Sequence, residues 1–366
     1  MSRAPRAAKF DEEAPPESDC LEGAPHPRDV YQLSGHREAE QLLLDAFNAG
    51  RMAQSWIIGG RQGIGKATLA WRFARFLMAN PQPHPEGHEP FTSLKIDEDH
   101  PAARKLAAMA YSDVFLLRRE WNYQTKKHYT EIRVDDVRRM TSRFHQSSAE
   151  SGWRVAIIDC AEDLNSNSAN ALLKLIEEPP PRSLFMFIAH RPAQMLATLR
   201  SRSRTVLLQP LAEADIVEAV SALGEPWSNK DAASIRQAAE RAGGSVRDAL
   251  RMLSGSGVKI LAKVEAILNG LAKPDWRAVH ELADAVAARE NESDYEAVIG
   301  SIFDWIDNQT RKAAASGAHP VQLAPLAEVW EKTASSVRET ESLNLDRKLL
   351  ILNIINDLAG AVSRPA

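Results

Sequence analysis

Seven consecutive residues, Gly60-Arg61-Gln62-Gly63-Ile64-Gly65-Lys66, have the spacing G-x-x-x-x-G-K. Glycines at those positions let backbone N–H groups turn toward phosphate oxygens, and a lysine ammonium at the end of the run reaches the outer phosphates. A helix beginning there adds partial positive charge. The chemistry is therefore nucleotide phosphate binding. Hydrolysis needs more: a hydroxyl directly after the lysine to hold magnesium. That position is Ala67. Thr68 follows, but one helical step turns a side chain by roughly 100°. A second candidate is Asp159, which ends the apolar run Val155-Ala156-Ile157-Ile158 and could hold magnesium through water. The next residue, where a hydrolase places a water-orienting glutamate, is Cys160, and Glu162 and Asp163 fall on the following turn. Both lesions point the same way: a loop that binds phosphate in a chain ill-equipped to cleave it.

Positioning such a loop takes a strand before it and a helix after it. Trp56-Ile57-Ile58 and the apolar stretch from Leu69 to Leu77 supply both. Short apolar runs predict strands at Ser55–Ile58, Val114–Leu117, Trp153–Ile158, Leu184–Ala189 and Thr205–Leu208. Continuous runs of this kind, alternating with helical stretches, suit a parallel sheet buried on both faces. After Pro210 the strand pattern stops. Ala212–Leu223, Lys230–Ala242 and Ser245–Leu253 read as a small three-helix unit, and a second helical block starts near Leu261. Within it, Ser293 and Glu296 have capping-box spacing. The last helix, Asp346–Val362, carries an apolar stripe of Leu349, Leu350, Leu352, Ile355, Leu358 and Val362 that suits a bundle interior or another subunit. The expected organisation is a mobile tail over residues 1–28, an α/β phosphate-loop core over 29–209, a helical lid over 210–257 and an all-α C-terminal domain over 258–366.

Composition narrows the setting. A chain of 366 residues with 44% hydrophobic residues can build separate cores, and a net charge of −4 means that any nucleic-acid contact must come from a local patch. Two cysteines, Cys20 and Cys160, exclude a disulfide scaffold and fit a reducing cytoplasm. No apolar run is long enough for a membrane span, and no apolar core follows Arg3 and Arg6 to make a secretory signal.

The wording of several segments is distinctive. Ala169-Asn170-Ala171-Leu172-Leu173-Lys174, followed by Glu177-Glu178-Pro179-Pro180, resembles a segment of bacterial clamp-loader AAA+ subunits. So do Leu199-Arg200-Ser201-Arg202-Ser203-Arg204, with Ser203 in place of a cysteine, and Gly243-Gly244-Ser245-Val246-Arg247-Asp248-Ala249-Leu250. Gly35-His36, the glycine loop and Ile132–Arg138 extend the resemblance to roughly residues 30–255. It implies a RecA-like core with a five-stranded parallel sheet, a helical lid, and a helical domain that joins a collar. It implies a hetero-pentamer with gamma/tau motor and delta subunits that opens a sliding clamp and sets it on primer–template DNA.

The site residues follow from the same resemblance. Arg202 matches an arginine lent in trans to the nucleotide of the next subunit; the plainer reading pairs it with a surface carboxylate. Gly60, Gly63, Gly65, Lys66 and Asp159 form a degenerate nucleotide site, with ATP left open as a cofactor and magnesium present only with nucleotide. Arg247 matches a lid arginine that turns toward phosphates, or else serves the lid structurally. His190 stands where the family places a polar sensor. Arg138, Arg139 and Arg143 lie on an expected helix, Val134–His145, and are candidates for the DNA backbone, although Asp135 and Asp136 begin the same helix. Many family members carry a four-cysteine zinc module after the loop helix. Residues 80–112 contain no cysteine, so no zinc and no other metal site is expected, and His84, His88 and His100 read as loop residues. Ala67 and Cys160 favour a non-hydrolysing stator over an active motor of the gamma/tau type. A scaffold without either role and a nucleotide kinase are further alternatives, the last weakened by the lack of a phosphoryl-acceptor site.

Overall fold

The computed structural model describes residues 16–21, 23–83, 89–145, 152–254, 258–288, 291–316, 320–343 and 345–363. The chain forms two compact units. The first comprises Met1–Tyr31, Glu38–Ile58 and Ala67–Val206, and the second comprises Gln32–Arg37, Gly59–Lys66 and Leu207–Ala366. His84 and His88 lie outside the described residues.

The first unit runs through α1 (Arg37–Asn48), β1 (Ser55–Gly59), α2 (Lys66–Ala79), α3 (Pro101–Ala107), β2 (Val114–Leu117), a ribbon of β3 (Trp121–Asn122) and β4 (Lys127–His128), α4 (Val134–Phe144), β5 (Arg154–Asp159), α5 (Ser166–Glu177), β6 (Ser183–Ala189), α6 (Ala197–Arg200) and β7 (Arg204–Leu207). The five main strands form one parallel sheet in the order β2-β5-β6-β1-β7. β1 and β6 are buried at every position, and β5 at all but its first residue. That explains why each reads as an unbroken apolar run rather than an alternation. β5 and β6 pair in register from Arg154↔Ser183 to Asp159↔Ile188, so their C-terminal ends finish side by side.

Helices α4 and α5 cover one face of this sheet. Phe144 of α4 stacks on Phe185 and meets Phe115 at a tilt, with ring centroids 5.1 Å away in each case. Burying a phenylalanine side chain contributes about 1.5–3 kcal/mol. α5 starts where Asn165 Oδ1 accepts the Ser168 N–H at 2.8 Å, and Pro179 and Pro180 follow its end. Ala169, Leu172 and Ile176 are buried as their spacing predicts; Leu175 joins them, and Leu173 sits at the margin. His100 caps α3, its Nδ1 accepting the Ala102 N–H at 3.1 Å.

Residues 16–28 depart from the expected mobile tail, whose first fifteen residues lie outside the described ones. Glu17 and Asp19 both pair with Arg118, and Arg28 reaches Glu17 at 3.0 Å. The buried His26 ring packs edge-on against Trp71, and Arg75 donates to the Arg28 carbonyl at 2.7 Å. The segment is polar, but its charges complement those of the surface beneath it.

The second unit contains α7 (Glu213–Ala222), α8 (Ala232–Arg241) and α9 (Val246–Leu253), then α10 (Val258–Asn269), α11 (Trp276–Ala287), α12 (Glu292–Ala315), α13 (Pro320–Leu343) and α14 (Arg347–Ser363). Asp231 caps α8 and Ser245 caps α9 through side-chain oxygens. α12 begins one residue before Ser293, so the capping box expected there is not the helix start; Asn291 holds the cap position without a side-chain bond. The last helix also departs from its expected stripe. Leu350, Ile351, Ile354, Ile355 and Leu358 are buried, whereas Leu349 and Val362 are exposed. α14 packs on both α11 and α13, so two neighbours share its apolar surface: Leu350, Ile355 and Leu358 keep the expected stripe, and Ile351 and Ile354 widen it.

Candidate functional site

The glycine loop adopts the conformation its composition requires. Gly60, Gly63 and Gly65 all have positive φ, at 143°, 78° and 99°. At Gly63 an added Cβ would fall 2.4 Å from Ser245 Oγ and 2.5 Å from Arg247 Cβ. Only a glycine lets the start of α9 come this close, and the contact is fastened by the Val246 N–H donating to the Gly63 carbonyl at 2.9 Å. His36 Nε2 holds the Ile64 carbonyl from another side at 2.7 Å.

Lys66 is 3% exposed, and its ammonium turns back into the loop. It donates to the carbonyl oxygens of Gly60 at 2.6 Å and Arg61 at 2.5 Å. Arg61, one of the unspecified positions in the loop pattern, ties the loop to the helices. Its guanidinium reaches Asp304 at 2.9 Å and Asp248 at 3.1 Å and also donates to the Gly243 carbonyl. Burial, against which the Arg61 charge works, holds the Asp304 carboxyl above its ordinary range, and nearby Asp248 adds to the rise. Sequence reasoning passed over Arg61, because nothing local marks it and its partners lie 187 and 243 positions away.

Arg247 has a similar fate. It is brought to the loop at Gly63, yet its guanidinium bonds Glu296 of α12 at 3.2 Å. Arg251, one turn on, meets the same carboxylate at 3.4 Å. Burial and the adjacent Arg247 charge lower the Arg251 pKa from its ordinary value. Glu296 thus carries two arginines.

In the first unit, Asp159 ends β5 and is 7% exposed. Cys160 follows it, and Ala161–Asp163 form a single 3-10 turn. That turn brings Glu162 under the end of β6, where its Oε1 accepts the backbone N–H groups of His190 at 2.7 Å and Arg191 at 3.0 Å. Burial, followed by the charges of Asp163, Glu162 and Asp159, pushes the Cys160 thiol well above its usual range. Asp163 pairs with Arg119 at 3.1 Å.

Arg202 lies just past α6 with its side chain 42% exposed. It pairs with Glu177, the last residue of α5, at 2.8 Å and donates to the Thr198 carbonyl at 3.1 Å. The two charges line a shallow pocket of about 360 Å³ with Ala53, Gln54, Ser55 and Arg204. Ser203, standing where the resemblance expects cysteine, bonds Ser55 Oγ at 2.7 Å and the Leu199 carbonyl at 2.8 Å, fixing the turn that presents Arg202.

The three arginines of α4 do not form one free patch. Arg139 bonds the buried Asp136, which Arg133 also holds at 3.1 Å, and approaches Glu120 at 3.6 Å. Arg138 lies 3.5 Å from Asp135, both well exposed, and Arg143 rests over the Phe115 ring at 5.9 Å.

The glycine backbone fits a phosphate group, while Lys66 would meet it only by leaving the Gly60 and Arg61 carbonyls. Ala67, beside Lys66, has no hydroxyl to offer a metal ion, and the residue after Asp159 is Cys160.

A glycine loop between β1 and α2, with a five-stranded parallel sheet of order β2-β5-β6-β1-β7, gives the architecture of a RecA-like P-loop core. Residues 35–212 match the family described as "DNA polymerase III, delta subunit". The chain is 25% identical over 262 residues to DNA polymerase III subunit delta' of Escherichia coli (strain K12), covering 72% of this chain and 67% of that one. It is 29% identical over 259 residues to the subunit of the same name from Pseudomonas aeruginosa, covering 70% of each. DNA polymerase III subunit gamma/tau of Mycobacterium bovis is 28% identical over 289 residues, which are 77% of this chain and 46% of that one. The chain is thus similar to DNA polymerase III clamp-loader subunits of the delta-prime and gamma/tau kinds.

Proposed function

We propose that this chain is the delta-prime-type stator of a DNA polymerase III clamp loader, and that it lends Arg202 to the ATP site of a neighbouring subunit while cleaving no ATP itself. One observation carries the reading: Lys66, the residue that would meet the outer phosphates, is committed to the loop's own Gly60 and Arg61 carbonyls, beside an Ala67 that offers magnesium nothing. Arg202, in contrast, stands half exposed on a fixed turn. A guanidinium placed against a transferring phosphoryl group stabilises its charge and raises rate by about 10³–10⁵ in related systems.

The partners of this reading are gamma/tau and delta subunits in a hetero-pentamer, the sliding clamp, and primer–template DNA reached through the assembled complex. The place of action is the cytoplasm; no helix among the described residues is long and apolar enough to cross a membrane. ATP can occupy the loop without turnover. An active motor of the gamma/tau type is the second reading, favoured by the gamma/tau match and by the intact glycines and Lys66.

Reconstitution with gamma/tau and delta subunits decides between them. The expected result is that Arg202→Ala lowers the clamp- and DNA-stimulated ATPase of the assembled loader, while Lys66→Ala leaves its chemical step intact. An unchanged ATPase with Arg202→Ala removes the donor role. Turnover by the isolated chain that vanishes with Lys66→Ala establishes the motor instead.

A further inference from the structure

We infer that Cys160, Glu162 and His190 form a binding site for a zinc-class divalent cation at the C-terminal ends of β5 and β6. The thiol sulfur, a carboxylate oxygen and an imidazole nitrogen of these residues all lie within 4.8 Å of one another. Sulfur, nitrogen and oxygen are the donor types zinc takes, and three protein donors with an open fourth position make a familiar zinc arrangement.

The backbone builds the trio. β5 and β6 are adjacent and parallel, with Asp159 opposite Ile188, so Cys160 and His190 leave neighbouring strands at the same end of the sheet. The 3-10 turn over Ala161–Asp163 then returns Glu162 to them. Glu162 is oriented from the other side, because its Oε1 takes two backbone N–H groups, of His190 and Arg191. Its Oε2 is buried, and the Cys160 thiol is hydrogen-bonded to the same carboxylate. An anionic oxygen held in this way beside a thiol and an imidazole is a ligand set with its outer support in place.

A second group of the same residue types shows the contrast. Glu17, Asp19 and His26 are equally close, but the Arg118 and Arg28 guanidinia already occupy the space between their carboxylates. The Glu162 carboxylate instead takes backbone N–H groups. On binding, the cation takes Cys160 as thiolate, its proton passes to solvent, and the ends of β5 and β6 become cross-linked.

The test uses the full chain, stripped with a chelator and titrated with zinc chloride against a chromophoric competitor, and separately with cobalt chloride. One zinc per chain is expected, with a thiolate-to-cobalt charge-transfer band. Cys160→Ser should abolish the band, and Glu162→Gln and His190→Ala should each weaken zinc by more than about tenfold. Cys20→Ser should change neither reading. Thermal melts establish that each variant folds; if Cys160→Ser does not, His190→Ala and Glu162→Gln still decide the matter. Absence of stoichiometric binding overturns the site. So does a band that survives in Cys160→Ser and is lost in Cys20→Ser, or zinc affinity indifferent to both Glu162 and His190.

Discussion

Arg202 and Glu177 form an ion pair of 2.8 Å that joins the turn after α6 to the last residue of α5. Both side chains are close to half exposed, so water screens the pair and its contribution to stability is about 0–1 kcal/mol. Such a pair orients a charge without locking it, and a competing phosphate can take the guanidinium at little cost.

The first prediction separates the two partners. Glu177→Gln should leave the ATPase of the reconstituted loader near the wild-type level and shift stability by no more than about 0.5 kcal/mol. Arg202→Lys should fail to restore what Arg202→Ala removes, since a lysine lacks the planar fork that meets two phosphate oxygens. Steady-state ATPase with clamp and primed DNA checks both. A full loss with Glu177→Gln would mean that the pair, rather than the free arginine, is the functional element.

Lys66 yields a prediction about folding. Its ammonium satisfies two loop carbonyls in an almost fully buried position. Lys66→Met keeps the stem and removes those bonds, so it should destabilise the chain by about 1–3 kcal/mol. A lysine waiting for phosphate would instead be neutral or stabilising to remove. Urea unfolding of the nucleotide-free variant, followed by circular dichroism, measures the sign.

Much of the core was legible because its signals are local. The strands are short apolar runs bounded by polar residues, α5 is announced by Asn165 and ended by two prolines, and the glycine loop carries its own spacing. What escaped depends on long-range charge. Arg61 reads as an arbitrary loop residue until Asp248 and Asp304 are brought to it. Arg247 stays open between a phosphate-facing and a structural lid role, because its Glu296 partner lies 49 positions away. Ser293 and Glu296 fit a capping rule, yet Glu296 is used by α9 and the helix begins earlier. In α14 periodicity found Leu350, Ile355 and Leu358 but not Ile351 and Ile354, because a helix apolar on most sides does not disclose which neighbours it has.

Glu296 supports a third prediction. It is the shared partner of Arg247 and of Arg251, which is 7% exposed. Glu296→Gln leaves a buried guanidinium with less compensation. Removing one partner of a fully buried pair costs about 3–5 kcal/mol, and because the Glu296 side chain is 43% exposed a smaller loss of about 1–2 kcal/mol is expected. Glu296→Gln with Arg251→Met should recover part of it. A double-mutant cycle by thermal unfolding tests the coupling, and additive single effects would show that the shared carboxylate is incidental.

The α4 arginines should behave differently from one another. Arg139→Ala withdraws a partner from the buried Asp136 and should destabilise the isolated chain by about 1 kcal/mol. Arg138→Ala should be neutral there, because both members of its pair are exposed. If α4 faces the DNA backbone in the assembled loader, Arg138→Ala and Arg143→Ala should each weaken DNA-stimulated ATPase and shallow its salt dependence by about one unit of log–log slope. Unaltered salt dependence in the assembled complex would return α4 to an ordinary solvated face.

Acid stability should report on the segment that packs beside Arg118. Burial opposes ionisation of Asp19, but the bond to His26 and the charges of His26 and Arg118 outweigh it and hold the carboxyl below its ordinary 3.8. Glu17 is likewise held below 4.5, its burial outweighed by Arg118 and Arg28. A carboxyl whose folded pKa is depressed leaves the unfolded chain binding more protons, so stability rises with pH through this range. The contribution is complete above about pH 5 and is lost as pH falls through the depressed folded values. Asp19→Asn should therefore lower the melting temperature near neutrality and flatten its decline below about pH 4, with Glu17→Gln doing the same more weakly. Melting curves between neutral and acidic pH give both slopes. If wild type and Asp19→Asn decline in parallel, the segment is held by packing of His26 on Trp71 rather than by its charges.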